Sequence, residues 1–410
     1  AYLRGGGIYV DTKATVNLGT DTVTIKDNTI HKGDFTENVY LTGDTKLVAE
    51  KAPAKNTSIG ISVPLSRATA GSVVITNAEK SIQANDARFP RDISEINLER
   101  SGDDLKVKLP VHKNGAVIYT PVERLSDIKG AGNYYLVQDS LMTGQLTVAA
   151  GTTVNICLNG HKSASTNIIN NGTLAITDCK HDSANGYLTS NYSVAITNNI
   201  AAAELTLNSV TVQDAKGIFI NVNEERNTET NKSGGSTVNL LNSTFANNGG
   251  TVLNARSTTI TVRNCTFEGN KNRAIYAYAY LDYNDTARLT VENSKFINNS
   301  TPSTAYNAAG GAIYCYYYYS PATITNCTFT GNSAKWEGGA IYVQNIEDIT
   351  PVLSGKIIAE DNTANGVRNN VHLDGSRSSG AYISVDSSFN TAKSHVGISA
   401  DNIPPLAVKG

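Results

Sequence analysis

Leu241-Asn242-Ser243-Thr244-Phe245, Arg263-Asn264-Cys265-Thr266-Phe267, Glu292-Asn293-Ser294-Lys295-Phe296 and Thr325-Asn326-Cys327-Thr328-Phe329 are successive versions of one short phrase. Each Phe is followed three residues later by Asn: Asn248, Asn270, Asn299 and Asn332. The steps from Phe to Phe are 22, 29 and 33 residues. One coil of a parallel β-helix, with three short strands and three turns, needs about that length, and a unit repeated this way stacks into a solenoid. The uneven steps place the variable length in one loop of each coil. Upstream, Leu207-Asn208-Ser209 and Ile176-Thr177-Asp178-Cys179 occupy the same slot in degraded form.

Aligning the coils predicts three columns. One holds Asp178, Asn208, Asn242, Asn264, Asn293 and Asn326, at a bend where Asn tolerates left-handed backbone and can hydrogen-bond along the stack. The next holds Cys179, Ser209, Ser243, Cys265, Ser294 and Cys327, a slot for small side chains, so these cysteines read as small buried residues. The third is a stacked core of Phe245, Phe267, Phe296 and Phe329. Between the columns, Ile275-Tyr276-Ala277-Tyr278-Ala279-Tyr280 and Val238-Asn239-Leu240 alternate with the period of a strand. No amphipathic helix exceeds a turn or two. The expected fold is all-β: a right-handed parallel β-helix of the pectate-lyase type, with a small β-rich N-terminal connector.

A longer repeat spans the chain. Gly6-Gly7-Ile8-Tyr9-Val10 matches Gly339-Ala340-Ile341-Tyr342-Val343, and Asp27-Asn28-Thr29 matches Asp361-Asn362-Thr363. Asn38-Val39-Tyr40-Leu41 matches Asn370-Val371-His372-Leu373, and Ile59-Gly60-Ile61-Ser62 matches Val396-Gly397-Ile398-Ser399. The offsets are 333, 334, 332 and 337 residues, so order and spacing hold together. This predicts a fragment of a tandem array. Residues 1–62 form the closing segment of a preceding module, 63–130 a β-rich connector, 131–400 a β-helix with its own closing segment, and 401–410 the start of a linker. The connector holds most of the mixed charge, as in Asp86-Ala87-Arg88-Phe89-Pro90-Arg91-Asp92.

Composition narrows the function. Hydrophobic residues make up 40% of the 410 and charged residues 17%, so the exposed surface is largely neutral and hydrogen-bonding. A net charge of −2 gives no field that favours nucleic acid. No run approaches the roughly 20 apolar residues of a membrane helix, so no membrane insertion is expected in this segment. The six His are scattered and no zinc-spaced Cys/His cluster occurs, so no metal and no cofactor are expected. Carboxylates in the repeats, such as Glu268, Asp285 and Glu292, occur singly rather than as the convergent set that glycan cleavage needs. No catalytic residue is assigned, and the chain is read as a non-enzyme. Cys157 and Cys179 are 22 residues apart and fall on adjacent coils, where a disulfide is open to geometry. Cys265 and Cys327 are separated by the coil of Ser294, which argues against a bond between them.

The tyrosines are the sharpest feature. Tyr276, Tyr278 and Tyr280 share one strand face; Tyr314, Tyr316 and Tyr318 fall in register on the next coil, and Tyr342 on the one after. With Ile275, Ala277, Ala279, Ile313, Cys315 and Tyr317 inward, these seven rings form an aromatic sheet. Either it is exposed, and suits a glycan or a protein partner, or its rings simply stack along the axis or lie under a loop.

Phe-x-x-Asn combined with Gly310-Gly311-Ala312-Ile313 and Gly338-Gly339-Ala340-Ile341 resembles the repeats of chlamydial polymorphic outer-membrane protein adhesins. Gly132-Asn133-Tyr134-Tyr135-Leu136, Cys157-Leu158-Asn159-Gly160-His161 and Ile176-Thr177-Asp178-Cys179 look like large β-helix surface proteins of Gram-positive bacteria. The resemblance implies secretion to a bacterial cell surface and a β-helical passenger. The expected function is an extracellular repeat module, a rigid stalk or adhesin that binds a host or microbial glycan or surface protein through the tyrosine face. The alternatives are a carbohydrate-active lyase or hydrolase, and a filament or surface-layer subunit that self-associates through open β-helix ends.

Overall fold

The computed structural model of the protein describes residues 7–12, 14–30, 35–91, 95–180, 186–200, 202–222, 235–278, 288–302, 304, 307–317, 322–345, 351–374, 382–401 and 408–409. Tyr280 and Tyr318 lie outside them. The chain divides into two compact units: residues 1–124 with 134–141, and residues 125–133 with 142–410.

The second unit is a right-handed parallel β-helix. Its coil is shown by Thr237–Leu241, Thr244–Ala246 and Leu253–Arg256, which contribute one strand to each of three parallel sheets. The next coil repeats this as Thr259–Arg263, Thr266–Glu268 and Ile275–Tyr278, pairing residue for residue with the one before. Two residues bend the chain from the first sheet to the second. The first of them is left-handed, with φ of 50°, 56°, 50° and 52° at Asn242, Asn264, Asn293 and Asn326. Asn accepts that backbone more readily than other β-carbon-bearing residues because its short amide bonds locally. The second residue, Ser243, Cys265, Ser294 or Cys327, turns inward and is buried. The Phe then enters the core. Phe245, Phe267, Phe296 and Phe329 are fully buried, with neighbouring ring centroids 4.7, 4.8 and 4.8 Å apart and interplanar angles of 11° or less.

A second left-handed residue follows each of these Phe residues: Asn247, Gly269, Asn298 or Gly331. It swings the Asn of Phe-x-x-Asn into the interior. Asn248, Asn270, Asn299 and Asn332 are all fully buried, as is Asn362. The Asn248 Nδ2 donates to Asn270 Oδ1 (2.8 Å), Asn270 to Asn299 (2.7 Å), Asn299 to Asn332 (2.9 Å) and Asn332 to Asn362 (2.8 Å). This internal amide chain is the main Asn column, and the bend Asn residues form a weaker outer one. In the outer column Asn242 Nδ2 donates to Asn208 Oδ1 (2.9 Å) and Asn264 to Asn242 (3.0 Å). The expected membership of that column needs one correction. Asn208 pairs with Leu241, not Asn242, and the left-handed bend falls on Ser209 (φ 56°). The shared Asn-Ser dipeptide masks a one-residue shift. Asp178 keeps its place, since Thr177 pairs with Asn208 and Asn208 with Leu241, which sets Asp178 level with Ser209 and Asn242.

The first unit has its own short parallel sheet of Ile8–Val10, Val39–Leu41 and Ile61–Ser62. Its five-stranded sheet runs Thr15–Asn17, Lys46–Val48, Val73–Thr76, Asp104–Lys108 and Asn97–Ser101, with Lys46–Val48 paired to Val73–Thr76. The expected boundary near residue 62 therefore does not separate these pieces. The mixed charge of the connector ties loops down. The Arg100 guanidinium donates to the carbonyls of Ala78, Glu79 and Ile82, and Arg67 is buried with bonds to the carbonyls of Leu41 and Val73.

The long repeat has a geometric counterpart. Asn28 donates its N–H and Nδ2 to Asn38 Oδ1 (both 3.0 Å), and Asn362 does the same to Asn370 Oδ1 (3.1 and 2.8 Å). Asp27 and Asp361, one residue before, have φ of 60° and 58°. Tyr9 stacks on Tyr40 at 5.9 Å, and Tyr342 on His372 at 5.6 Å.

Candidate functional site

The outer face of the third sheet carries two columns of side chains. One runs Asn221, Asn254, Tyr276, Tyr314, Tyr342, His372 and Ser399 in consecutive register. The other runs Arg256, Tyr278, Tyr316, Gln344 and Asp374. Strand alternation dictates this, because Ile275, Ala277, Ile313 and Cys315 point into the core and are buried.

The rings do not form a bare sheet. Tyr314 and Tyr342 are only 2% and 8% exposed, while Tyr276, Tyr278 and Tyr316 are half-buried. The cause is the chain ahead of the Ile313–Tyr317 strand, which folds back over the sheet. Ala309 packs on Tyr314 and Tyr342, and Asn307 Nδ2 donates to the Tyr314 hydroxyl (3.2 Å). Burial pushes the Tyr314 and Tyr342 phenols well above their usual range, and the Asp374 carboxylate adds to the second. Both remain hydrogen-bond donors across physiological pH.

What is left open is a groove of about 570 Å³. Tyr276, Tyr278, Tyr314, Tyr316 and Tyr342 lie along it, Trp336 stands at its side, 56% exposed, and Asn307 and Ala309 form part of the wall. Its polar groups are Asn254, Arg256, Glu337 and Gln344. Arg256 lies over the Tyr278 ring (5.1 Å) and donates to its hydroxyl (2.9 Å). Behind the groove, buried Arg273 lies 4.9 and 5.1 Å from the Tyr276 and Tyr314 rings. Burial lowers its guanidinium to about 10, still charged at neutral pH. Cation–π contact and the bond to the Asn307 carbonyl (2.7 Å) offset its desolvation and fix the covering loop.

At the far end of the first column, Tyr342 donates to Asp374 Oδ2 (2.6 Å), which also accepts from Gln344 Nε2 (2.7 Å). The His372 ring stacks on Tyr342 and places Nε2 3.0 Å from Glu337 Oε2 and 3.4 Å from Asp401 Oδ2. Burial raises the Glu337 carboxyl; His372 opposes that, and Asp401 and Asp374 reinforce it.

Of the seven tyrosines expected on one face, the five among the described residues line this groove, and Tyr280 and Tyr318 lie outside those residues; the polar half of the groove was not expected. Trp336, the only Trp in the chain, was the one available signal; Arg256, Glu337 and Gln344 look like ordinary surface residues until the coils are stacked. Away from the groove, Cys157 and Cys179 form a disulfide with Cα atoms 6.2 Å apart. Cys265, Cys315 and Cys327 are free and buried.

Fold and groove define a class: a β-helical solenoid with an aromatic cleft on one sheet. Within it, residues 326–344 match the family model of the Chlamydia polymorphic membrane protein repeat. That stretch runs along one coil of the stack and covers the core residues Phe329 and Asn332, the Gly338-Gly339-Ala340-Ile341 turn, and the groove residues Trp336, Glu337, Tyr342 and Gln344. No curated protein and no solved structure matches the chain. No helix among the described residues is long and apolar enough to cross a membrane.

Proposed function

We propose that the chain is part of a bacterial cell-surface adhesin, a rigid β-helical module that binds a carbohydrate in the groove of its third sheet. The groove carries this reading. Half-buried Tyr276, Tyr278 and Tyr316 and exposed Trp336 offer ring faces to the apolar faces of sugars. Arg256, Asn254, Glu337 and Gln344 offer donors and acceptors to hydroxyls, and the volume falls within the range of small-ligand sites. The disulfide suits an oxidising, extracellular setting, and the matched repeat is a surface-protein repeat. The shared hydrogen-bond pattern at Asn28/Asn38 and Asn362/Asn370 supports a tandem array of such modules. A Gram-positive source rests on sequence resemblance alone.

Binding without cleavage is favoured. A glycosidase places two carboxyl groups about 5–9.5 Å apart across the scissile bond. Among the described lining residues, Glu337 is the only carboxylate. A glycan array probed with the chain and with a Tyr278→Ala/Tyr316→Ala/Trp336→Ala variant tests the reading. Selective signal from the wild type, lost in a variant with unchanged circular dichroism, supports it. No signal from the wild type removes the glycan site and leaves a stalk.

A further inference from the structure

We propose that Glu337, His372 and Asp401 bind one divalent transition-metal ion of the zinc type, at the end of the aromatic column. The site goes beyond the glycan reading and stands without it. Its three residues come from successive coils. Glu337 precedes the Gly338-Gly339 turn, His372 sits in the Val371–Asp374 strand, and Asp401 follows Ile398–Ala400 with its N–H on the Leu373 carbonyl (3.2 Å).

The distances suit co-ligands of one ion. Nε2 lies 3.0 Å from Glu337 Oε2 and 3.4 Å from Asp401 Oδ2, and the three ligand atoms all fall within 4.8 Å of one another. Bonds of about 2.0–2.2 Å in a tetrahedral zinc shell put neighbouring ligand atoms about 3.3–3.6 Å apart, within a few tenths of an ångström of these separations.

The tautomer is set from behind. The Ser399 hydroxyl has acceptors at Asn369 Oδ1 and the Val371 carbonyl, each 3.2 Å away. With the proton on either of these, its oxygen is placed to accept from His372 Nδ1–H at 3.1 Å. That leaves the Nε2 lone pair facing the carboxylates, the arrangement that orients a metal-bound imidazole. The His372 side chain is 4% exposed, and Nε2 makes no hydrogen bond although two carboxylate oxygens lie close by. They sit off the line of a ring N–H, where co-ligands sit. Among the described residues no Lys or Arg pairs with either carboxylate.

One nitrogen and two oxygens select zinc, cobalt, nickel or manganese over calcium or magnesium, which prefer all-oxygen shells. The first unit provides an internal contrast, since Tyr40 stands where His372 does and cannot replace the imidazole. The competing account is an imidazolium held between two carboxylates with no ion.

The untagged full chain, kept free of reductant so that Cys157–Cys179 stays closed, is stripped with EDTA and titrated calorimetrically with Zn²⁺. Ca²⁺ serves as control and Co²⁺ as a visible-absorption probe. The expected result is one Zn²⁺ per chain, a Co²⁺ ligand-field band, and at least tenfold weaker binding in His372→Gln and in Asp401→Asn. Asp401 is about half exposed (48%), so that variant tests ligation even if His372→Gln disturbs folding, which thermal melts record. No stoichiometric Zn²⁺ binding, undiminished binding in a folded Asp401→Asn chain, or binding of Ca²⁺ instead of Zn²⁺ overturns the proposal. No glycan is present, so the groove reading is neither helped nor harmed by the result.

Discussion

Asn299 has no exposed atom and no unpaired polar one. Its Nδ2 donates to the Phe267 carbonyl (3.0 Å) and to Asn332 Oδ1 (2.9 Å), and its Oδ1 accepts from the N–H and Nδ2 of Asn270 (3.3 and 2.7 Å). A buried amide satisfied on every side is costly to replace, because each former partner is stranded. Asn299→Leu is expected to destabilise the helix by on the order of 3 kcal/mol, read from urea denaturation. Asn293→Gly, at the left-handed bend, is expected to change stability by about 0.5 kcal/mol or less, since glycine accepts that backbone freely. The sequence shows both Asn residues at fixed offsets from Phe, but the offset alone does not say which amide turns inward. That depends on the left-handed residue in between, Asn298 here. The thiols make a separate test. Burial pushes Cys265 to about 11 and Cys315 and Cys327 to about 12, so thiolate is scarce at neutral pH. Native protein should give no reaction with a thiol reagent at pH 8 and three equivalents after denaturation; fast labelling of the native chain would contradict the packing.

At the scale of elements, the Gly-Gly-Ala-Ile motif has a steric meaning. Gly310 and Gly338 take φ of 67° and 61°, which L side chains rarely adopt. Gly311 and Gly339 have ordinary φ but no room, since a Cβ on Gly311 would strike the Gly339 carbonyl of the next coil. Gly311→Ala should destabilise by about 3 kcal/mol through overpacking and, by moving the loop that carries Ala309, weaken any groove ligand. Phe296→Ala, in the middle of the ring stack, should cost about 3–5 kcal/mol; thermal melts compare the two. The alternation that puts tyrosines on one face was legible from Ile275 to Tyr278, because strand period fixes facing. The cover over Tyr314 and Tyr342 was not, because the residues around Asn307–Ala309 carry no periodic signal.

At the scale of the molecule, a solenoid is coupled mainly between neighbours, so protection should grade along the axis. Hydrogen exchange is expected to be slowest in the coils between Thr237 and Thr330 and faster at Ile398–Ala400, which among the described residues pairs on one side only. The disulfide closes a 22-residue separation, and replacing both Cys157 and Cys179 by Ser should lower stability by about 3 kcal/mol. The long sequence repeat was legible because the turns bonded through Asn38 and Asn370 need particular residues. The joining of residues 1–62 with 63–124 was not, since sheet partners such as Leu47 and Ile75 share no motif. The amide chain also has a direction. Each amide-to-amide bond from Asn248 to Asn332 runs to the following coil, until Asn362 bonds Asn370 only eight residues on. As the chain emerges from the ribosome, each new coil supplies the acceptor for the amide already in place, and at Asn362 that acceptor comes from Asn370 eight residues on. Recombination can then lengthen such a protein in two ways: by inserting coils ahead of Asn362, or by duplicating whole modules.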